Sequence, residues 1–342
     1  MNVETTRTNI ELDRQALQGG FDAKSFFIRW EWLLVALLVV IIVIDTNASG
    51  GTFIGPKMFQ TTANFMDKSF LVLSMALVII LGKIDISVGS AAALCSVIMA
   101  VAFDNGLPII PSIALCIGVG VVCGMINGFI TIKFPELHTM IITLSTLVIY
   151  RGVATIILED RSAPTTNSFP DWFKQISWGT VGFIPYSLIV FAAACVIFAF
   201  VLHKTRFGRE LYAIGNNATA AAFSRINVNR AVFIAFMLNG LMAGVCALFL
   251  TARMASTRPN VASGYELEAI AMVVLAGIPT AGGKGSMFGV IVSVFIIGYL
   301  RYGLGLQNVS APVIMVVIGG LLIGSVLLSR LWLSRGSSSA SK

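Results

Sequence analysis

The chain has 342 residues, 57% of them hydrophobic and only 11% charged, with a formal net charge of +7. A soluble domain carries about 25% charged residues, so this composition excludes a globule surrounded by water and calls for lipid as solvent. The basic excess reads as the positive-inside bias of a membrane protein, and no nucleic-acid partner is expected.

Residues 1–25 are polar, of mixed charge and without an apolar h-region, which predicts a cytoplasmic N-terminal segment rather than a signal peptide. Ten apolar blocks follow, at approximately 30–45, 69–84, 88–103, 107–133, 138–158, 182–202, 231–252, 265–281, 286–303 and 312–330. Several approach the ~20 residues needed to cross the hydrocarbon core. They predict an all-α, polytopic integral membrane protein with about ten transmembrane helices in a permease domain spanning 26–333. The second and third blocks are short and separated only by Ile84-Asp85-Ile86-Ser87. Such a pair is either two spans or one broken, partly re-entrant element covered by protein. The Ser-rich end, 334–342, predicts a disordered tail.

With the N-terminus inside and ten crossings, 15 of the 23 Lys and Arg residues fall on the inner side. That bias puts both termini and the 203–230 loop in the cytoplasm. The 203–230 loop contains Ala-Thr-Ala-Ala-Ala between Asn217 and Ser224, good helix formers beside an asparagine cap. It predicts a short surface helix that either rests on lipid headgroups or docks into a soluble partner. Segment 159–181, rich in Pro, Ser and Thr, is expected outside.

No catalytic or metal constellation is expected, and the chain is read as not an enzyme. His138 and His203 have no acid beside them, and the five cysteines sit at unrelated spacings within apolar blocks. The run Ala281-Gly282-Gly283-Lys284-Gly285-Ser286 fails as a phosphate loop, because Gly follows the lysine and Ile278 stands where the first glycine is needed. The candidates for intramembrane charge, Asp85, Arg151, Arg253, Glu266, Glu268 and Arg301, can all be placed at span ends or in connections. This weighs against an ion-coupled secondary carrier or a channel, the rival class. Gly120/Gly124/Gly128, Gly240/Gly244, Gly285/Gly289 and Gly320/Gly324 recur at four-residue spacing, the pattern of close helix packing.

Four segments, in this order, carry a resemblance. They are Gly82-Lys83-Ile84-Asp85-Ile86-Ser87-Val88-Gly89-Ser90; Thr143-Leu144-Ser145-Thr146 with Tyr150-Arg151-Gly152; Gly208-Arg209-Glu210-Leu211-Tyr212-Ala213-Ile214-Gly215-Asn216-Asn217 with Ala220-Ala221-Ala222; and Tyr265 to Ala271 with Leu275-Ala276-Gly277 and Gly282 to Ser286. Across about 70–330 the chain resembles the inner-membrane permeases of bacterial ABC sugar importers of the ribose/xylose/arabinose type. Lys83, Ala276 and Arg225 stand where that family has glycine, which suggests a divergent branch, with rhamnose-type and autoinducer-type furanose importers as neighbours.

The resemblance implies a monosaccharide permease of the bacterial inner membrane, powered by ATP bound on a separate ABC ATPase subunit, with no cofactor in this chain. It implies a second permease copy or a related permease beside it and a periplasmic sugar-binding protein that delivers the cargo. Carried over residue by residue, Gly208, Arg209, Gly215, Asn216, Ala220 and Ala221 fall in the ATPase-coupling loop. A neutral sugar needs hydroxyl and amide partners, so Asn127, Ser145 and Thr146 are substrate-path candidates, each with interhelical hydrogen bonding as the plainer role.

Overall fold

The computed structural model describes residues 30–159, 161–165 and 168–338; residues 1–25, expected to be a cytoplasmic segment, lie outside them. Helix α1 (Trp30–Ala48) is followed by a short α2 (Pro56–Thr61) and a 3-10 turn, Thr62–Asn64, before α3 (Met66–Ile80). Then come α4 (Val88–Asp104), α5 (Ile109–Lys133), α6 (Thr139–Leu158) and α7 (Asp171–Trp178). A small hairpin, β1 (Thr180–Val181) antiparallel to β2 (Ile184–Pro185), leads into α8 (Tyr186–Lys204). The chain continues through α9 (Arg206–Asn216), α10 (Ala218–Phe223), α11 (Val228–Met254), α12 (Tyr265–Leu275), α13 (Met287–Leu306) and α14 (Ala311–Ser338).

Each of the ten apolar blocks forms a helix, yet the expected count of about ten crossings is not reached by length. Among the described residues, six helices are long and apolar enough to span: α1, α5, α6, α8, α11 and α13. A seventh is added if α2 and α3, bent by 72° at Phe65, count as one broken span. At 1.5 Å per residue, the 15 residues of α3 rise about 22 Å and the 11 of α12 about 16 Å, against a hydrocarbon core of about 30 Å. Neither helix is long enough to cross that core by itself, and any of their ends that lie within it need their backbone groups paired within the protein. Of the tail expected to be disordered, 334–342, residues 334–338 are the end of α14 and 339–342 lie outside the described residues. A helix already nucleated extends at small cost per residue.

All fifteen residues of α3 are buried, which makes it the central post of the bundle. Helices α5, α6 and α8 carry much of the exposed apolar surface, with Phe129, Val148, Ile156 and Val196 all 60% exposed or more. Helices α5 and α11 make the closest crossing. A Cβ on Gly240 would sit 2.1 Å from the Gly120 carbonyl, and one on Gly124 2.3 Å from that of Phe236. Only hydrogen at these positions allows the backbones to meet. The other two four-residue repeats do not pack this way: a Cβ on Gly320 or Gly324 would meet no atom of another element within 4 Å, and Gly285 precedes α13.

Two ion networks tie α12 into the bundle. Glu268 accepts from Lys68 of α3 at 2.6 Å and from Arg301 of α13 at 2.8 Å. Asp67 of α3 accepts from Arg253 of α11 at 2.9 Å and from the Tyr265 hydroxyl at 3.1 Å. Charges removed from water need partners of opposite sign and hydrogen bonds together, and each of these groups has both.

Candidate functional site: the coupling surface and the buried polar bracket

Thr205, between α8 and α9, donates to the Val201 carbonyl at 2.6 Å and accepts from the Gly208 amide at 3.3 Å, so one hydroxyl ends one helix and caps the next. Asn217 does the same between α9 and α10: its amide bonds Ala213 and its side-chain oxygen accepts from Ala220 at 3.0 Å. Asn227 caps α11 through Arg230. The polar punctuation of 203–230 thus sets two short helices, α9 and α10, at fixed angles below the bundle.

Helix α9 buries Gly208, Leu211 and Ile214 and is pressed against the end of α3 and the loop 276–286. A Cβ on Gly215 would lie 1.9 Å from the Ile80 carbonyl and 2.5 Å from the Gly283 nitrogen. Gly283 itself donates to Ile80 at 2.8 Å. Asn216 donates to the Gly283 carbonyl at 3.2 Å, and the Tyr212 hydroxyl donates to the Gly285 carbonyl at 2.8 Å. The glycine-rich run is therefore the cradle that seats α9. Gly282 and Gly283 hold φ of +84° and +78°, which places their backbones where side chains would strain. His203 accepts from the Met287 amide at 3.3 Å and fastens the same loop from the end of α8.

The structure therefore brings Gly215 and Asn216 onto Gly283, and packs Gly208 against Leu202, where a Cβ would meet its carbonyl at 1.9 Å. Ala221 is the buried residue of α10, whereas Ala220 and Arg209 are exposed. Phe223, 86% exposed at the end of α10, leaves an aromatic anchor open on this face. Tyr212, His203 and Gly283 at this joint, and Phe223 on its exposed side, are residues to which the sequence reading gave no part in the candidate surface. Phe207, Leu211 and Ile214, at helical spacing, are the signal that α9 has an inner face.

Arg225, one of the departures from the family pattern, adopts φ +60°. Left-handed backbone there is natural for glycine and costs an L-residue about 1–2 kcal/mol. Arg225→Gly is expected to raise the melting temperature of the purified permease slightly, without loss of transport; a fall would show that the exposed side chain makes a needed contact. Burial pushes the Tyr212 phenol above its ordinary value, so it remains a donor across the physiological range. Tyr212→Phe removes one hydrogen bond, about 1 kcal/mol, and should lower uptake severalfold while leaving membrane insertion unchanged in a protease-protection assay.

The second assembly is a buried polar bracket where α4 begins. Asp85 accepts from the Ser87 amide at 2.9 Å, from the Ser87 hydroxyl at 2.7 Å and from the Asn239 amide at 3.0 Å. Ser74 donates to Asn239 at 2.7 Å, Asn127 donates to Ser87 at 2.7 Å, and Tyr150 donates to Asn127 at 3.1 Å. Helices α3, α5, α6 and α11 are thereby joined around the start of α4. The sequence places Asp85 at a span end; in the structure it meets Asn239 near the middle of α11. Of the three path candidates, Asn127 belongs to this bracket and is 1% exposed. Thr146 is buried and donates to the Thr143 carbonyl of its own helix, while Ser145 lies on the exposed face of α6 and donates to Ile141. The structure does not gather the three onto one surface.

Comparison with known proteins agrees with this architecture. The family model described as "Branched-chain amino acid transport system / permease component" matches residues 57–326. The Autoinducer 2 import system permease protein LsrD of Escherichia coli (strain K12) is 34% identical over 304 residues, covering 86% of this chain and 90% of that protein. The protein of the same name from Shigella flexneri matches equally, and that of Escherichia coli O157:H7 is 33% identical over 304 residues. No solved structure matches the chain. The match spans nearly all of the helical bundle, the coupling surface included, and the chain belongs to the branched-chain amino acid transport system / permease component family of membrane permeases.

Proposed function

We propose that this chain is the membrane subunit of an ATP-binding cassette importer of the bacterial inner membrane, and that its cargo is a monosaccharide or a furanose-like relative of one. The relatives bear the name of autoinducer 2 import, which supports a small, hydroxyl-rich cargo. The observation that carries the reading is the seating of α9: a cytoplasmic helix pair locked onto α3 and the α12–α13 loop by Gly215, Asn216 and Tyr212. A motor bound at α10 would push through that joint into the central post of the bundle. The ATPase fits the exposed alanines and Phe223 of α10, a binding protein delivers cargo at the external loops, and a second permease completes the path. Both termini then lie in the cytoplasm. Access alternates by rocking of packed helices without chemistry on the cargo.

Vesicles containing the chain alone, and vesicles also containing its ATPase and binding protein, separate this reading from a secondary carrier. Cargo uptake is expected only in the complete assembly and only with ATP. Uptake by the lone chain on an ion gradient would overturn the assignment.

A further inference from the structure

The connection from α11 to α12 does not leave the bundle as an ordinary surface loop. It descends beside α4: Thr257 shares a hydroxyl–hydroxyl hydrogen bond with Ser96, and the Ala262 carbonyl comes so close to Gly89 that a Cβ there would lie 2.7 Å away. Gly89 is two residues beyond Ser87 of the polar bracket. The segment is held on its outer side as well. Arg151 of α6 donates through one nitrogen to the carbonyls of Pro259 at 2.6 Å and Val261 at 2.7 Å, and Thr257 exchanges both backbone hydrogen bonds with Ala163. Cavities of about 490 Å³ and 320 Å³ flank it. Arg258 and Asn260 line both, Arg253, Ser256 and Thr257 the first, and Arg151 the second.

From this geometry we propose that residues 255–264 are the external gate of the cargo path, that Arg151 is the positioning residue that latches it shut, and that the flanking cavities form an entry vestibule for a polyhydroxylated cargo. The proposal rests on the transport reading above. Guanidinium, amide and hydroxyl groups on the walls suit a neutral sugar, and each cavity lies within the roughly 300–1,000 Å³ of small-molecule sites. The gate also has its hinges. Ala255, at the end of α11, and Ala262 hold φ of +54° and +55°, and Gly264, before α12, holds +85°. Left-handed alanines persist only where surrounding contacts over-determine them, and the Arg151 bond to the Val261 carbonyl supplies such a contact beside Ala262. With the clasp broken, the Ala262 end is free to relax and the segment to swing outward about Ala255.

The test uses the assembled transporter in cells, with Ala262→Cys as reporter, since Ala262 is 6% exposed and the five native cysteines are buried. A membrane-impermeant maleimide added outside should label the introduced thiol slowly in the otherwise unchanged chain and about tenfold faster once Arg151→Gln removes two charge-assisted hydrogen bonds. Arg151→Lys, which keeps the charge and one donor direction, should fall between them. In a second variant, Ser96→Cys with Thr257→Cys, oxidation should close a disulfide and abolish uptake, and reduction should restore it. Labelling indifferent to Arg151, or uptake indifferent to a disulfide shown to have formed, would overturn the gate. Because labelling needs no cargo, a transporter that shows the labelling change but imports no sugar upholds the latch and sinks the transport reading instead.

Discussion

Gly215→Leu is expected to abolish import while leaving the permease in the membrane. A Cβ at this position would fall 1.9 Å from the Ile80 carbonyl and 2.5 Å from the Gly283 nitrogen, and both obstacles are backbone atoms that no rotamer change can move. The residue faces the Gly283–Ile80 hydrogen bond, so a larger side chain must pry α9 away from the end of α3 and break that bond. The first turns of α9 would survive, because the Thr205 cap lies at the opposite end of the helix from the clash. The joint between motor-facing surface and central helix would not. Uptake by the complete transporter should fall by about two orders of magnitude, the size of effect expected when a well-packed contact loses several kcal/mol. ATP hydrolysis by the bound partner should persist but no longer respond to cargo. Gly215→Ala meets the same atoms and should already be severe. Retention of cargo-stimulated hydrolysis and uptake in the leucine variant would remove α9 as the coupling element.

Much of this surface was legible in the sequence for a physical reason. Asparagine caps, alanine-rich turns and glycines write local instructions, and α10 forms at Ala218–Phe223, where the caps place it. The facing glycines of α5 and α11 were legible too, because four-residue spacing defines one helix face whatever that face meets. What the sequence hid depends on partners distant along the chain. Followed by hydropathy alone, the second apolar block starts only after Lys68, yet α3 begins at Met66. Asp67 and Lys68 are buried against Arg253 and Glu268, which stand nearly two hundred residues away. A charged pair satisfied in three dimensions looks like a helix boundary in one. Asp85 does lie in the connection between α3 and α4, as its place in the sequence indicates, but no local pattern reveals that Asn239 waits for it at mid-helix.

The short helices follow from the same cause. At the starts of α4 and α12 a buried or half-buried carboxylate receives the amide of the residue that precedes the helix, Ser87 or Gly264. For α4 the acceptor is Asp85, and for α12 the Glu266 carboxylate accepts from the Gly264 amide at 3.2 Å. A sequence read by apolar length alone counts such helices as full crossings, whereas their carboxylates mark them as starting within the protein.

That argument predicts a large difference between two changes at Asp85. Asp85→Leu keeps a branched side chain but adds volume, and it leaves the Ser87 amide, the Ser87 hydroxyl and the Asn239 amide without their acceptor, all at a buried site. Each buried donor left unpaired costs about 1–3 kcal/mol, so the melting temperature of the purified permease should drop by about 5 °C or more and its uptake should be lost. Asp85→Asn retains one oxygen for Ser87. Its new NH₂ can face Asn239 if that amide turns over, whereupon Asn239 donates to Ser74 instead of accepting from it. The asparagine variant should therefore melt within about 2 °C of the parent and keep most of its transport. Equal damage from both substitutions would mean that the negative charge itself, placed at the start of α4, holds the break open. Equal tolerance would mean that packing of α3 against α11 suffices without the bracket. Only the predicted asymmetry assigns the work to hydrogen bonding rather than to the charge of the carboxylate.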